Sequence, residues 1–112
     1  AFDAAFVGFW FSHILISERQ RFLNELTRVL IPGAHVLLLD NQYVAGSNHP
    51  ITHTDAEGNT FQTRHLNNGA QHEVLKNFPS QNELDACIGD IADHSSYRLH
   101  EYYWVFEFWL NT

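Results

Sequence analysis

Three kinds of hydrophobic pattern alternate along the chain. FDAAFVGFWF, Phe2 to Phe11, is apolar after Asp3 and is cut off by Ser12-His13. So short and unbroken a run predicts a buried strand over 2–11. Ser17-Glu18-Arg19-Gln20 then has the spacing of a capping box. Behind it Phe22, Leu23, Leu26, Val29 and Leu30 recur at helical spacing, with Arg21, Asn24, Glu25 and Arg28 opposite. This predicts an amphipathic helix over 18–30, stopped by Pro32-Gly33. His35 to Leu39 is a second apolar run, closed by Asp40. Strands apolar on both faces belong to parallel sheets covered by helices on each side. Strand, helix and strand in that order predict a βαβ unit.

The character changes after Asp40. Residues 41–58 are polar and read as a long loop. Two runs, 61–66 and 70–75, flank Asn67-Asn68-Gly69 and predict a β-hairpin with a two-residue turn of positive φ. Ser80 and Glu83 form a second capping box, and Leu84, Cys87, Ile88 and Ile91 make the apolar stripe of a helix over 81–93. Cys87 on that stripe reads as a buried core residue. The aromatic end, YRLHEYYWVFEFWL, predicts two strands, 96–101 and 103–110. The expected organisation is a strand-helix-strand core over 1–40, a loop and β-hairpin insertion over 41–78, and a helix with a terminal strand pair over 79–112.

Charge and composition narrow the function. Thirteen acids against 6 Lys and Arg give a formal net charge of -7, which argues against a nucleic-acid backbone or an anionic membrane surface as partner. No run is long enough to span a bilayer. The single Cys87 forms no internal disulfide, and a reducing, cytoplasmic setting fits it. The chain has no Met and opens directly on a strand-like run. The expectation is that further residues precede Ala1 in the natural protein.

The two halves of the opening pattern resemble the class I S-adenosylmethionine-dependent methyltransferases. The matching positions are Phe2, Asp3, His13, Leu26, Arg28, Val29, Leu30, Pro32, Gly33 and Asp40. The run from Thr63 through Arg64, Leu66 and Gly69 to Lys76 resembles a subset acting on small molecules. Ile31 and Ala34 depart from the family pattern, which commonly has Lys and Gly there. The resemblance implies an α/β fold: part of a doubly wound, mostly parallel sheet with an antiparallel last strand and an inserted hairpin. It also implies S-adenosylmethionine as cofactor and a small-molecule acceptor. The family's Gly-rich cofactor turn has no counterpart here, so the cofactor-binding half is expected to lie upstream and this chain alone to be inactive.

Methyl transfer needs an aligned nucleophile, a dry site and, where the nucleophile must lose a proton, a base. Ligands of α/β sheets sit at the carboxyl ends of the strands. Phe9, Trp10, Phe11 and Ser12 are therefore the expected cofactor wall, aromatic faces suiting a sulfonium cation. His13 is the candidate base, against the alternative that it bonds backbone and shapes the loop. Asp40, Asn41, Tyr43 and Arg64 are the candidate substrate contacts. For Asp40 the alternative is to close the strand end. For Arg64 and Lys76 the choice lies between an anionic substrate group and a solvated hairpin face. His49 and His53, four apart on a loop with Pro50, lack the pattern of a metal site, and no metal is expected. The aromatic stripe Tyr102, Tyr103, Trp104, Phe106, Phe108 and Trp109 lacks interleaved basic residues and reads as packing rather than a base-stacking platform. A second reading of the whole is a non-catalytic module that forms a homodimer through an open sheet edge at residues 2–11.

Overall fold

The computed structural model describes residues 1–112. β1, Phe2–Gly8, pairs in parallel with β2, Leu30–Asn41, and the helix α1, Arg19–Thr27, lies between them in sequence. Three strands follow, β3 at Ile51–Thr54, β4 at Thr60–His65 and β5 at Gln71–Leu75. After them come the helix α2, Gln81–Ile88, and two strands, β6 at Ala92–Leu99 and β7 at Tyr103–Leu110. One sheet has the order β1-β2-β7-β6, with β7 antiparallel to both of its neighbours. A second, antiparallel sheet has the order β3-β4-β5.

The core lies on one face of the four-stranded sheet. Val36 pairs with Phe108, Leu38 with Phe106 and Asp40 with Trp104, and all six are buried. Leu23 of α1, Leu84 and Ile88 of α2, and Phe11 close over them. Trp104, Phe106 and Phe108 are thus core residues. Burying side chains of this size contributes about 2–3 kcal/mol each. The opposite face carries His35, Leu37 and Leu39 of β2 with Val105, Glu107 and Trp109 of β7, all half-buried. Phe2 and Phe6 are 66 % exposed, and Phe6 pairs with Leu37 of that second face. The expected helical cover on both faces is therefore met on one face only within this chain, and β1 is an edge strand rather than a central one.

Several boundaries differ from the pattern. α1 stops at Thr27, because Leu30 already belongs to β2 and the Phe2 amide donates to the Val29 carbonyl at 2.9 Å. Pro32-Gly33 bulges the strand it was expected to precede, and the register jumps between Phe2/Leu30 and Ala4/His35. The Ser17 capping box does not form. A 3-10 turn, Ile16–Glu18, leads into α1, and the Glu18 amide is satisfied by the Leu15 carbonyl instead. The second box forms in half: Ser80 Oγ accepts from the Glu83 amide at 3.2 Å. α2 ends at Ile88 because Ala92 starts β6. β3 arises inside the predicted loop. The hairpin turn is not the two-residue type: Gly69 donates to Leu66, the Leu66 amide to Ala70, and only Gly69 has positive φ. This is a three-residue loop closed by a glycine bulge. Cys87 is half-buried rather than fully enclosed.

Candidate functional site

β1 and β2 run side by side and end together, so their carboxyl ends bring Phe9 to His13 against Asp40 and Asn41. Phe9 ends β1 at φ 57, left-handed space that a bulky side chain rarely enters. Its amide donates to the Leu39 carbonyl, which holds the chain as it turns. Strain of this kind costs about 1–3 kcal/mol and concentrates at functional sites. Trp10 follows, and Phe11–His13 form a 3-10 turn.

The residues of this turn go to opposite environments. Phe9 and Trp10 are 52 % and 56 % exposed. Phe11 is fully buried, edge-on to Phe22 and Trp104. Ser12 is fully buried too, and each of its polar groups is engaged. Its amide donates to Asp40 Oδ2 at 2.8 Å, its carbonyl accepts from the Asn77 amide, and its hydroxyl accepts from Lys76 Nζ. Phe11 and Ser12 thus leave no surface for a ligand, and the expected aromatic wall reduces to Phe9 and Trp10.

Lys76 is the only Lys of the chain, and it is buried rather than solvated on the hairpin. Its Nζ donates to Ser12 Oγ at 2.8 Å, Asp40 Oδ1 at 3.2 Å and Asn41 Oδ1 at 2.8 Å. Asp40 has no exposure and accepts from the Ser12 and Asn41 amides as well. Such a buried pair repays its desolvation only when its remaining hydrogen-bonding positions are filled, as they are here. Asp40 closes the strand end and is out of a substrate's reach. Leu75 and Asn77 flank the lysine and grip the same turn. Leu75 offers its carbonyl to His13 Nδ1 at 2.7 Å, and Asn77 Nδ2 donates to the Ile14 carbonyl at 3.0 Å. Asn77 in turn leans on Asn59, which Asp55 holds in a tight turn.

A carbonyl cannot donate, so His13 Nδ1 carries the proton of that bond. In the neutral ring Nε2 then keeps its lone pair. His13 is half-buried, with Trp10 tilted against it at 6.3 Å. Beside this turn lies a cleft of about 280 Å³, lined by Asn41, Ser47, Asn48, His49, Gln62, Arg64, Lys76 and Tyr102. No acid lines it, in a chain of net charge -7. Arg64 gives one long bond to Gln62, at 3.4 Å, and its Nε has no partner. Asn41 and Arg64 therefore meet in one cleft as expected. Tyr43 does not join them: it packs edge-on against Phe78 and lines separate cavities. His49 and His53 do not converge with a third ligand, and no group of three His, Cys, Asp or Glu side chains stands in metal-binding geometry. Lys76 and Asn77 are the site residues that pattern reasoning undervalued. The available signal was a lone lysine directly after an apolar strand end.

No protein-family model matches the chain, and no curated protein sequence does. Solved structures do match. The DhpI–SAH complex aligns with a TM-score of 0.71 and 21 % identity over 97 % of this chain and 47 % of that one. The DhpI–SAM–HEP complex gives 0.70 and 18 %, over 95 % and 49 %. A SAM-dependent methyltransferase from Methanosarcina mazei gives 0.66 and 18 %, over 98 % and 59 %. The fold is therefore the α/β fold of SAM-dependent methyltransferases. The chain spans about half the length of the DhpI structures and somewhat more of the third.

Proposed function

We propose that this chain is the carboxyl-terminal part of a SAM-dependent methyltransferase whose acceptor is a small molecule bearing an anionic group. The observation that carries the reading is the fixed tautomer of His13 at the paired strand ends, beside a cleft with two cations and no acid. The neighbours' complexes with SAM and SAH support the choice of cofactor.

The exposed aromatic rings of Phe9 and Trp10 fit one side of such a cofactor, since aromatic faces attract a sulfonium. SAM when bound supplies an electrophilic methyl group. Arg64, with Asn41 beside it, orients the acceptor's anionic group in the cleft. His13 Nε2 takes the acceptor's proton as the nucleophile attacks, and the Leu75 carbonyl stabilises the ring as it becomes cationic. Lys76 holds Ser12, Asp40 and Asn41 in register, so its role is to position the turn rather than to touch the acceptor. The remaining cofactor contacts come from residues outside this chain, and the chain alone binds SAM weakly.

In the complete protein, His13→Gln is expected to lower kcat by about 10²–10⁴-fold with SAM affinity unchanged. Arg64→Ala is expected to raise the acceptor's KM at the same time that SAM affinity holds. Unchanged turnover in His13→Gln sinks the base assignment. A second reading rests on the free edge of β1 and on Phe2 and Phe6, both largely exposed. It is a non-catalytic module that pairs with a second copy of itself.

A further inference from the structure

A second cavity of about 280 Å³ lies on the helix-covered side of the molecule, lined by Ile16, Arg19, Tyr43, Ile51, Gly58, Thr60, Asn77, Phe78 and Glu83. It shares no lining residue with the Arg64 cleft. Arg19 stands in its wall with 5 % exposure. The guanidinium lies over the Phe11 ring at 5.6 Å and spends Nη1 on Glu83 Oε2 at 3.0 Å. Its Nε is buried and has no partner. An arginine serving structure alone makes a fork of two parallel bonds to its carboxylate when it can. This one makes a single bond, to a Glu83 side chain that is 53 % exposed.

A buried donor left open costs stability, and here it belongs to a side chain that lines a cavity. The lining offers a cation and an anion side by side, then an apolar wall of Ile16, Ile51, Tyr43 and Phe78. A lone carboxylate would meet Arg19 but also the charge of Glu83. A lone ammonium would have the reverse difficulty. A group carrying both signs on adjacent atoms satisfies both residues, and an attached apolar body fills the wall.

We infer that the Arg19–Glu83 cavity binds a free α-amino acid with an apolar side chain. The carboxylate takes the open side of the Arg19 guanidinium, the ammonium takes Glu83, and the side chain lies against Ile51, Tyr43 and Phe78. This inference is independent of the methyl-transfer reading and concerns a site separate from it.

The test is an NMR titration of the ¹⁵N-labelled chain with L-phenylalanine, following the Arg19 Nε–H resonance. A saturable shift is expected. Hydrocinnamate, which lacks the ammonium, and phenethylamine, which lacks the carboxylate, are each expected to bind at least about tenfold more weakly, the worth of one charge-assisted bond. Arg19→Lys removes the fork but risks the fold. Ile51→Glu, at a partly exposed wall position, keeps the fold and is expected to abolish the shift. Absence of a saturable shift in a chain with a well-dispersed spectrum overturns the inference. So does equal binding of hydrocinnamate, or binding that survives Ile51→Glu.

Discussion

Lys76 and Asp40 show how much rests on a single pairing. Both are buried, and each is the other's charge partner. Lys76→Met would leave Asp40 ionised and unpaired inside the protein, at a cost of about 3–5 kcal/mol. Urea unfolding should show that loss, and Lys76→Met/Asp40→Leu should recover much of it, because replacing both charges removes the orphan. Asp55 makes a pH prediction. Burial pushes its carboxyl up, but hydrogen bonds from Asn59, Glu57 and Gly58 outweigh that and hold it below its ordinary value of 3.8. A depressed carboxylate stabilises the fold above its unfolded value, near pH 3.9, and loses that contribution as pH falls through the folded value. Asp55→Asn should therefore destabilise the chain at neutral pH, and the deficit should close in acid. The stability difference measured against pH checks this; a deficit that persists at pH 2 contradicts it.

At the level of elements, legibility followed burial. The β1-α1-β2 unit, α2 and the two closing strands were readable because each carries an apolar stripe or run that must be covered. The boundaries were not, because tertiary bonds decided them. The sheet captured Leu30 from α1, and Leu15 took over the capping that Ser17 was expected to supply. β3 was invisible since Ile51, Thr52, His53 and Thr54 are all exposed, and only pairing with β4 makes them a strand. The candidate site was half legible. Strand ends pointed to His13 and Asn41, but no pattern could tell that Phe11 and Ser12 turn inward. The β4–β5 turn gives a test at this scale. Gly69 sits at φ +86 with open space around it, so Gly69→Ala pays only for left-handed backbone, about 1 kcal/mol. Thermal unfolding should show a small drop with the same cooperativity. A neutral substitution would mean the turn can switch type.

As a whole the molecule measures 51 × 27 × 26 Å with a radius of gyration of 15.4 Å. A compact domain of this length would have about 13 Å. The difference reflects two sheets laid end to end in the chain's architecture, joined at the strand ends by the Leu75 to Asn77 segment. No helix is long and apolar enough to cross a membrane. The uncovered face with Phe2, Phe6, Leu37 and Leu39 is an association surface by its chemistry. Size-exclusion chromatography should show the chain associating as concentration rises, and Phe6→Lys should return it to the monomer. A dimer of fixed stoichiometry would favour the self-pairing module. Open-ended association would favour a part of a larger enzyme.

The segment Leu75-Lys76-Asn77 binds the turn at 11–14 through three consecutive residues. The two sheets are thus one thermodynamic unit at that point. A ligand that orders the cleft beside Arg64 must also order the turn that presents Trp10 and His13. Linkage is reciprocal: whatever factor the acceptor contributes to cofactor affinity, the cofactor returns to acceptor affinity. A loosened clamp would uncouple the two affinities before it abolished either.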